Sequence, residues 1–313
     1  MSKVAINSTV KATAVVIGGT GLIGIWITKS LLTDYRSVFP TVRVTTRDVN
    51  GPKARELAAL GAEVFNSDAL EDALKGANVV VNTLPTNFPE AEKQKLTTAI
   101  AASSAKVYFM SEFGIDYALN DFPGYEHSEW TTKRVMTKES YAAMPDKKII
   151  LLLVGVFLGT LNAPTYAAML GLDVKNNAYK SLGPATTPFA MSAEIDIARS
   201  VAQLAVLALD PATAASVPDT VRLAPITTSH AGIAAAVARV RGVPLATVEK
   251  EDLAAYKKAL SEKPTNNLFD YIKVVTGEGK LNFSANHDNE LINPGQRLWK
   301  WKTLEDELDE GKA

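Results

Sequence analysis

The run Gly18-Gly19-Thr20-Gly21-Leu22-Ile23-Gly24 carries the most specific chemical spacing in this chain. A turn so rich in glycine lets the backbone approach a pyrophosphate, whose charge sits against the free N–H groups and positive dipole end of a following helix. Two triads fit at once, Gly19-x-Gly21-x-x-Gly24 and Gly18-x-x-Gly21-x-x-Gly24, and spacing alone does not choose between them. A site that prefers NAD keeps an acidic residue about 20 positions further on to hold the ribose. Here that place is taken by Thr45-Thr46-Arg47. The planar fork of Arg47 suits a 2'-phosphate, so NADP(H) is expected, with Lys53 as a second cation. Asp48 is the competitor, either as the ion-pair partner of Arg47 or as a ribose ligand. Asp68 stands where it would meet an adenine or cap a helix.

Other chemistries are thinly supplied. The chain has no cysteine, which excludes disulfides, thiolate nucleophiles and zinc-thiolate or iron-sulfur sites. His127, His230 and His287 are far apart and form no His-x-x-x-His pair, so no metal site is expected. With 33 basic and 34 acidic residues the formal charge is -1, leaving no field to gather nucleic acid or an anionic membrane. A small molecule is the expected partner.

These residues need a scaffold, and the hydrophobic pattern describes one. Thr13 to Ile17 is a compact apolar run ending at the glycines, and Leu22 to Leu32 follows with helical spacing. The alternation repeats with strands at Val42 to Thr46, Ala62 to Phe65, Asn78 to Thr83, Lys106 to Met110 and Lys148 to Val154. Helices are expected at Lys53 to Leu60, Ala69 to Lys75, Glu90 to Ser104 and Ser128 to Met144. Near-continuous Val, Ile and Leu runs mark strands covered on both faces, as in a parallel sheet. The predicted fold is therefore α/β, a doubly wound parallel sheet of Rossmann type with a smaller C-terminal substrate-binding region. Residues 1–157 would bind the nucleotide and 158–313 mainly the substrate, with about 193–226 returning to the first unit.

Beyond Gly155 a strong helix is expected at Ala193 to Leu209 and a strand at Val221 to Ala224. Shorter helices are read at Ser229 to Arg241, Glu249 to Leu260 and Asn267 to Val275, and Glu305 to Glu310 reads as a solvated charge run. The longest apolar run, Ile149 to Leu158, falls well short of the roughly 18 residues that span a bilayer. Met1 to Ala12 lacks the apolar stretch of a secretory signal, so a cytoplasmic protein, monomer or homodimer, is expected.

Together the glycine run, Thr46-Arg47-Asp48, Asn82-Thr83-Leu84-Pro85, Ser111-Glu112-Phe113-Gly114 and Asn293-Pro294-Gly295 resemble the signatures of the isoflavone reductase-like, or NmrA-like, family of atypical short-chain dehydrogenases. The resemblance runs from about Val15 to Phe157 and returns near the C-terminus. It implies NADPH as cofactor, an open substrate cleft and reduction of small aromatic, often phenylpropanoid-derived, molecules. It also places Gly18, Thr20, Gly21, Leu22, Ile23, Gly24, Thr83, Leu84, Ser111, Phe113 and Phe157 along the cofactor.

None of the nine tyrosines is followed four positions later by lysine, so the ordinary Tyr-x-x-x-Lys mechanism is absent. The resembling reductases use a lysine on the helix after the fifth strand, and the matching residue is Lys133, implied as general acid. Its bland alternative is a surface pair with Glu129 four positions earlier. Ser111 is as well suited to a structural hydrogen bond as to catalysis. Phe88, Tyr117, Tyr125, His127, Trp130 and Tyr166 fall where ligands of open sheets lie and suggest an aromatic substrate, with His127 equally able to shape its loop. Some members of the family sense dinucleotides without turning over a substrate, which is the alternative function.

Overall fold

The computed structural model describes residues 4, 6, 8–119 and 121–311. Its first half alternates strand and helix: β1 (Thr13–Ile17), α1 (Gly24–Leu32), β2 (Thr41–Thr46), α2 (Pro52–Ala59), β3 (Glu63–Asn66), α3 (Leu70–Leu74) and β4 (Val79–Asn82). Then come α4 (Glu90–Ala102), β5 (Val107–Phe109), α5 (Ser128–Ala143) and β6 (Lys148–Leu153). These strands are short and rich in β-branched residues, and β4 is buried along its whole length. Covered on both faces, they pair in parallel through crossover helices.

The second half holds β7 (Val156–Phe157), α6 (Pro164–Met169), β8 (Leu172–Asp173), β9 (Ala178–Leu182), β10 (Phe189–Ser192) and α7 (Glu194–Leu209). It continues with β11 (Thr220–Arg222), β12 (Ile226–Thr228), α8 (His230–Arg241) and β13 (Val248–Glu251). The chain closes with α9 (Leu253–Glu262), α10 (Leu268–Gly277), α11 (Asn289–Ile292) and α12 (Leu304–Glu310).

The main sheet has the order β11-β6-β5-β4-β1-β2-β3 with every neighbouring pair parallel. Strand order reverses between β1 and β4, the switch point where open α/β sheets bind ligands beyond the carboxyl ends of their strands. The strand read at Val221 to Ala224 is β11, at the edge of this sheet, and α7 packs against α1. Two small sheets, β12-β10-β7 and β13-β9-β8, belong to the second half. A second apolar core joins Phe122 and Trp130 of the first half to Phe189, Tyr271 and Leu308 of the second.

Two readings of the C-terminal half need correction. Glu249 to Glu251 is not the start of a helix: Val248–Glu251 pairs in parallel with Tyr179–Leu182, and the helix begins only after Asp252, whose side chain accepts from the Ala255 N–H at 3.0 Å. The charge run Glu305 to Glu310 is not a solvated tail. Thr303 and Asp306 form a reciprocal capping box that starts α12, and Leu304 and Leu308 are buried. Glu307 is buried as well, with its carboxylate 2.7 Å from the Lys302 amine.

Candidate active site

The glycine turn leaves β1 and is pinned to β2: the Gly18 and Gly19 amides donate to Thr45 O at 3.1 and 3.2 Å, and the Thr20 and Thr46 hydroxyls lie 2.9 Å apart. Each glycine answers to a different constraint. Gly18 has φ +79°, where a side chain would be strained. A Cβ on Gly19 would lie 2.7 Å from Val44, and one on Gly24 would lie 2.4 Å from Gly18 O and 2.7 Å from Thr83 Oγ1. Gly21 differs, since its Cβ would meet only Gly18 O at 3.0 Å and its other side faces a groove. Gly19 and Gly24 thus secure packing, Gly18 combines a positive φ with a Cβ position 3.0 and 3.1 Å from Leu84 and Thr83, and Gly21 is the glycine of the run with the most open surroundings. The backbone N–H groups of Thr20, Leu22 and Ile23 donate to no acceptor among the described residues. A helix N-terminus with unused amides is a ready anion site.

The groove has a volume of about 1850 Å³. One wall comprises Gly18, Thr20, Gly21, Thr45, Thr46 and Arg47, the floor carries Thr83 and Leu84, and the far wall runs from Ser67 and Asp68 through Gly76 to Phe88 and α4. Thr83 Oγ1 donates to Ile17 O at 2.8 Å, tying the end of β4 to the turn. Arg47 is exposed and forms no ion pair among the described residues. Asp48 does not hold it: the Asp48 carboxylate accepts from the Asn50 N–H at 3.1 Å and bends over Gly51.

Asp68 borders the groove, and the capping role belongs to Asn66, whose side chain accepts from the Asp68 N–H at 3.0 Å. Other expected cofactor residues do not line the groove. Lys53 is exposed on α2, the Leu22 side chain is 71 % exposed, and Ile23 is buried in the core. Phe113 and Phe157 pack against the core of the main sheet.

Lys133 sits beyond the carboxyl end of β5. Its side chain is 9 % exposed, its Nζ donates to Ser111 O, and the Glu112 carboxylate is 3.8 Å away. The pair with Glu129 read from their spacing is not formed, because the Glu129 carboxylate accepts from the Thr86 hydroxyl instead. Ser111 Oγ donates to Leu84 O at 2.7 Å, so the lysine's acceptor is fastened directly to a groove residue. Burial pushes the Glu112 carboxyl up to about 7; Lys133 opposes that shift, and Glu129 and Asp116 add to it. Glu112 and Thr86 are polar residues whose placement the sequence patterns do not signal, and both are buried here.

The expected substrate aromatics divide. Trp130 is fully buried, donating from Nε1 to Leu119 O at 3.2 Å and meeting Tyr117 edge-on at 5.0 Å, so it belongs to the core and not to a pocket wall. Its amphipathic helix turns that face inward, where a large ring has most to gain by burial. Tyr125 is half-buried with its ring edge-on to Phe122 at 5.6 Å, and Tyr117 is half-buried with the Lys133 amine 5.8 Å from its ring. Burial and the Glu129 and Glu112 carboxylates raise the Tyr117 phenol well above its ordinary range. His127 caps α5, its Nδ1 accepting from the Glu129 N–H at 3.1 Å, and its Nε2 meets Asn266 O at 3.2 Å. Tyr166 is exposed and lies against Phe269 with ring centres 5.8 Å apart. Phe88 borders the groove.

A separate enclosed cavity of about 20 Å³, between Leu170, Phe189 and His230, shares no lining residue with the groove. No group of side chains able to hold a metal ion occurs among the described residues, nor is any described helix long and apolar enough to cross a membrane.

Comparison with known proteins agrees with this architecture. The chain is 33% identical over 115 residues to eugenol synthase 2 of Clarkia breweri, a stretch covering 34% of this chain and 37% of that protein. It is 31% identical over 117 residues to isoflavone reductase homolog P3 of Arabidopsis thaliana, covering 35% and 37%. The matched stretch thus spans little more than a third of either relative. Among solved structures, AtPrR2 with NADP+ and (+)-pinoresinol superposes with a TM-score of 0.72 at 18% identity, over 96% of this chain and 99% of that one. The leucoanthocyanidin reductase–NADPH complex of Vitis vinifera gives 0.71 at 16% identity, over 96% and 99%. At such identities the superpositions establish the fold. The model of the NmrA-like family matches residues 10–306, nearly the whole chain, and this protein belongs to that family.

Proposed function

We propose that this chain is an NADPH-dependent oxidoreductase acting on a small aromatic, phenylpropanoid- or isoflavonoid-like molecule. The observation that carries the reading is a coincidence at one end of one parallel sheet. An open glycine turn with unused amides stands there beside an unpaired Arg47, and a buried lysine amine lies just past the next strands. The names of the relatives, eugenol synthase and isoflavone reductase homolog, supply the substrate class.

The groove suits a phosphorylated dinucleotide. The amides of Thr20, Leu22 and Ile23 would take the pyrophosphate, with no side chain on Gly21 to bar its approach. Arg47 would grip the 2'-phosphate, a contact NADH cannot make, and Asp68 lies on the adenine side. Thr83 and Leu84 would wall the route toward Ser111. When bound, NADPH supplies a hydride. Lys133 donates the proton, or its charge, to the substrate oxygen that becomes negative, exchanging Ser111 O for that oxygen as acceptor. Residues 1–157 then serve the cofactor and 158–313 chiefly the substrate, with about 193–226 built onto the first unit.

A dinucleotide sensor without turnover is the second reading, favoured by the fact that the Lys133 amine is already satisfied internally. One experiment separates the two. NADPH and NADH are titrated by fluorescence, and NADPH oxidation is followed against aromatic carbonyl and alkene compounds. The oxidoreductase reading expects NADPH preference together with turnover; tight NADPH binding with no oxidation across the panel would favour the sensor.

A further inference from the structure

We propose that Glu112 is a positioning residue for Lys133, fixing the charge and direction of the lysine amine from behind. The inference rests on the reading of Lys133 as proton donor. Glu112 is 4 % exposed, and its Oε1 has no hydrogen-bond partner among the described residues. That orphaned oxygen is the one 3.8 Å from Lys133 Nζ.

A buried carboxylate without hydrogen bonds is costly, and an apolar residue of similar size would fill the space at no such cost. A bridge serving stability alone would close to hydrogen-bonding distance and satisfy the oxygen. Here the gap stays open, and the amine donates its hydrogen bond elsewhere, to Ser111 O. The arrangement leaves the lysine tethered at one point and attracted at another, free to move its proton while remaining beside a negative charge. Such a charge favours the ammonium form of a buried amine.

The groups facing Glu112 are few. Lys133 and Glu129 come from α5, Asp116 and Tyr117 from the loop after β5, and Tyr108 from β5 itself. Glu129 is engaged by Thr86, and Asp116 by Arg222 at 3.1 Å, so Lys133 is the cation left to answer Glu112. Because burial raises this carboxyl to about 7, its hold on the amine changes near neutral pH.

The test is limited acetylation with acetic anhydride, read by mass spectrometry as the ratio of Lys133 to the exposed Lys138. In the wild-type protein this ratio is expected to fall as pH rises through about 7, when Glu112 ionises and secures the ammonium. Glu112→Gln should raise the ratio roughly tenfold and remove its dependence on pH. Glu112→Asp, charged but shorter, should fall between. With substrate, Glu112→Gln should lower kcat about tenfold with NADPH affinity unchanged, and its kcat profile should lose the inflection near pH 7.

Equal labelling ratios and pH dependence in wild type and Glu112→Gln would overturn the proposal. Should that variant fail to fold, the wild-type profile decides, because a ratio flat across pH 7 overturns it equally. Absence of turnover in the wild-type protein would defeat the oxidoreductase reading, and the labelling would still decide the role of Glu112.

Discussion

The two ends of the candidate site are built on opposite terms. At the glycine turn, backbone amides are left unused, Arg47 stands free, and the groove is open. At Lys133 most groups are engaged: the amine by Ser111 O, the Glu129 carboxylate by Thr86, and His127 by its own helix, with Glu112 Oε1 left without a hydrogen-bond partner among the described residues. The first end is preformed and needs only a ligand. The second must exchange internal partners for external ones, so its cost is paid at the moment of use. A closed, water-poor lysine is also the one whose charge acts most strongly on a reacting oxygen.

This contrast is open to challenge, beginning where the effect is largest. Lys133→Ala is expected to lower kcat by roughly 10² to 10⁴, the span for losing a general acid, while NADPH affinity stays nearly intact. Wild-type turnover in this variant, measured beside cofactor titration, would reduce the closed end to packing. Trp130→Ala should destabilise the fold by about 3 to 5 kcal/mol, the usual cost of removing a buried aromatic, as read by denaturant unfolding. A loss confined to substrate affinity would return Trp130 to the pocket.

At the open end the losses should fall on binding. Arg47→Ala is expected to weaken NADPH by about 1.5 to 3 kcal/mol and NADH little, and equal losses in calorimetric titration would make the arginine structural. Two glycines three positions apart sharpen the point. Gly24→Ala puts a methyl against Gly18 O and Thr83 and should cost about 1 to 3 kcal/mol of stability. Gly21→Ala, whose methyl would meet only Gly18 O at 3.0 Å, should cost less stability than Gly24→Ala while impairing dinucleotide binding. Similar melting losses in both would show that the whole run is a packing turn.

The smallest effect concerns pH. Burial raises both Glu112 and Asp196 to about 7, so the folded chain holds protons that the unfolded chain has released. Stability should therefore decline as pH rises from the ordinary carboxylate range toward 7. Asp196 accepts from Trp299 Nε1 at 3.1 Å and from the Lys302 N–H at 2.8 Å. Asp196→Asn should flatten part of the decline; an unchanged profile of Tm against pH would remove that carboxyl from the account.

What the sequence by itself determined is what short-range rules determine. Strands β1 to β6 follow from β-branched runs, the turn from its glycines, and the parallel sheet from strands too apolar to face water. Residues adjacent along the chain encode such features, so the glycine turn between β1 and α1 was legible from Gly18 to Gly24. The same local rules misread Glu305 to Glu310, where charge density hides an apolar stripe of Leu304 and Leu308. They also offered Glu129 as an alternative partner for Lys133, because helical spacing says who is near and not who wins.

Tertiary structure decided the rest. It assigned separate duties to the glycines of two overlapping triads between which spacing did not choose, through their contacts with Val44, Gly18 O, Thr83 and Leu84. Trp130 went to the core and Tyr166 to the surface, although both fall among the aromatics expected beside a ligand. Glu112 was brought to Lys133, and Thr86 to Glu129 across 43 residues, from separate segments of the chain. Side-chain charge and hydrogen bonding depend on burial and on partners arriving from elsewhere, and neither is written in local spacing.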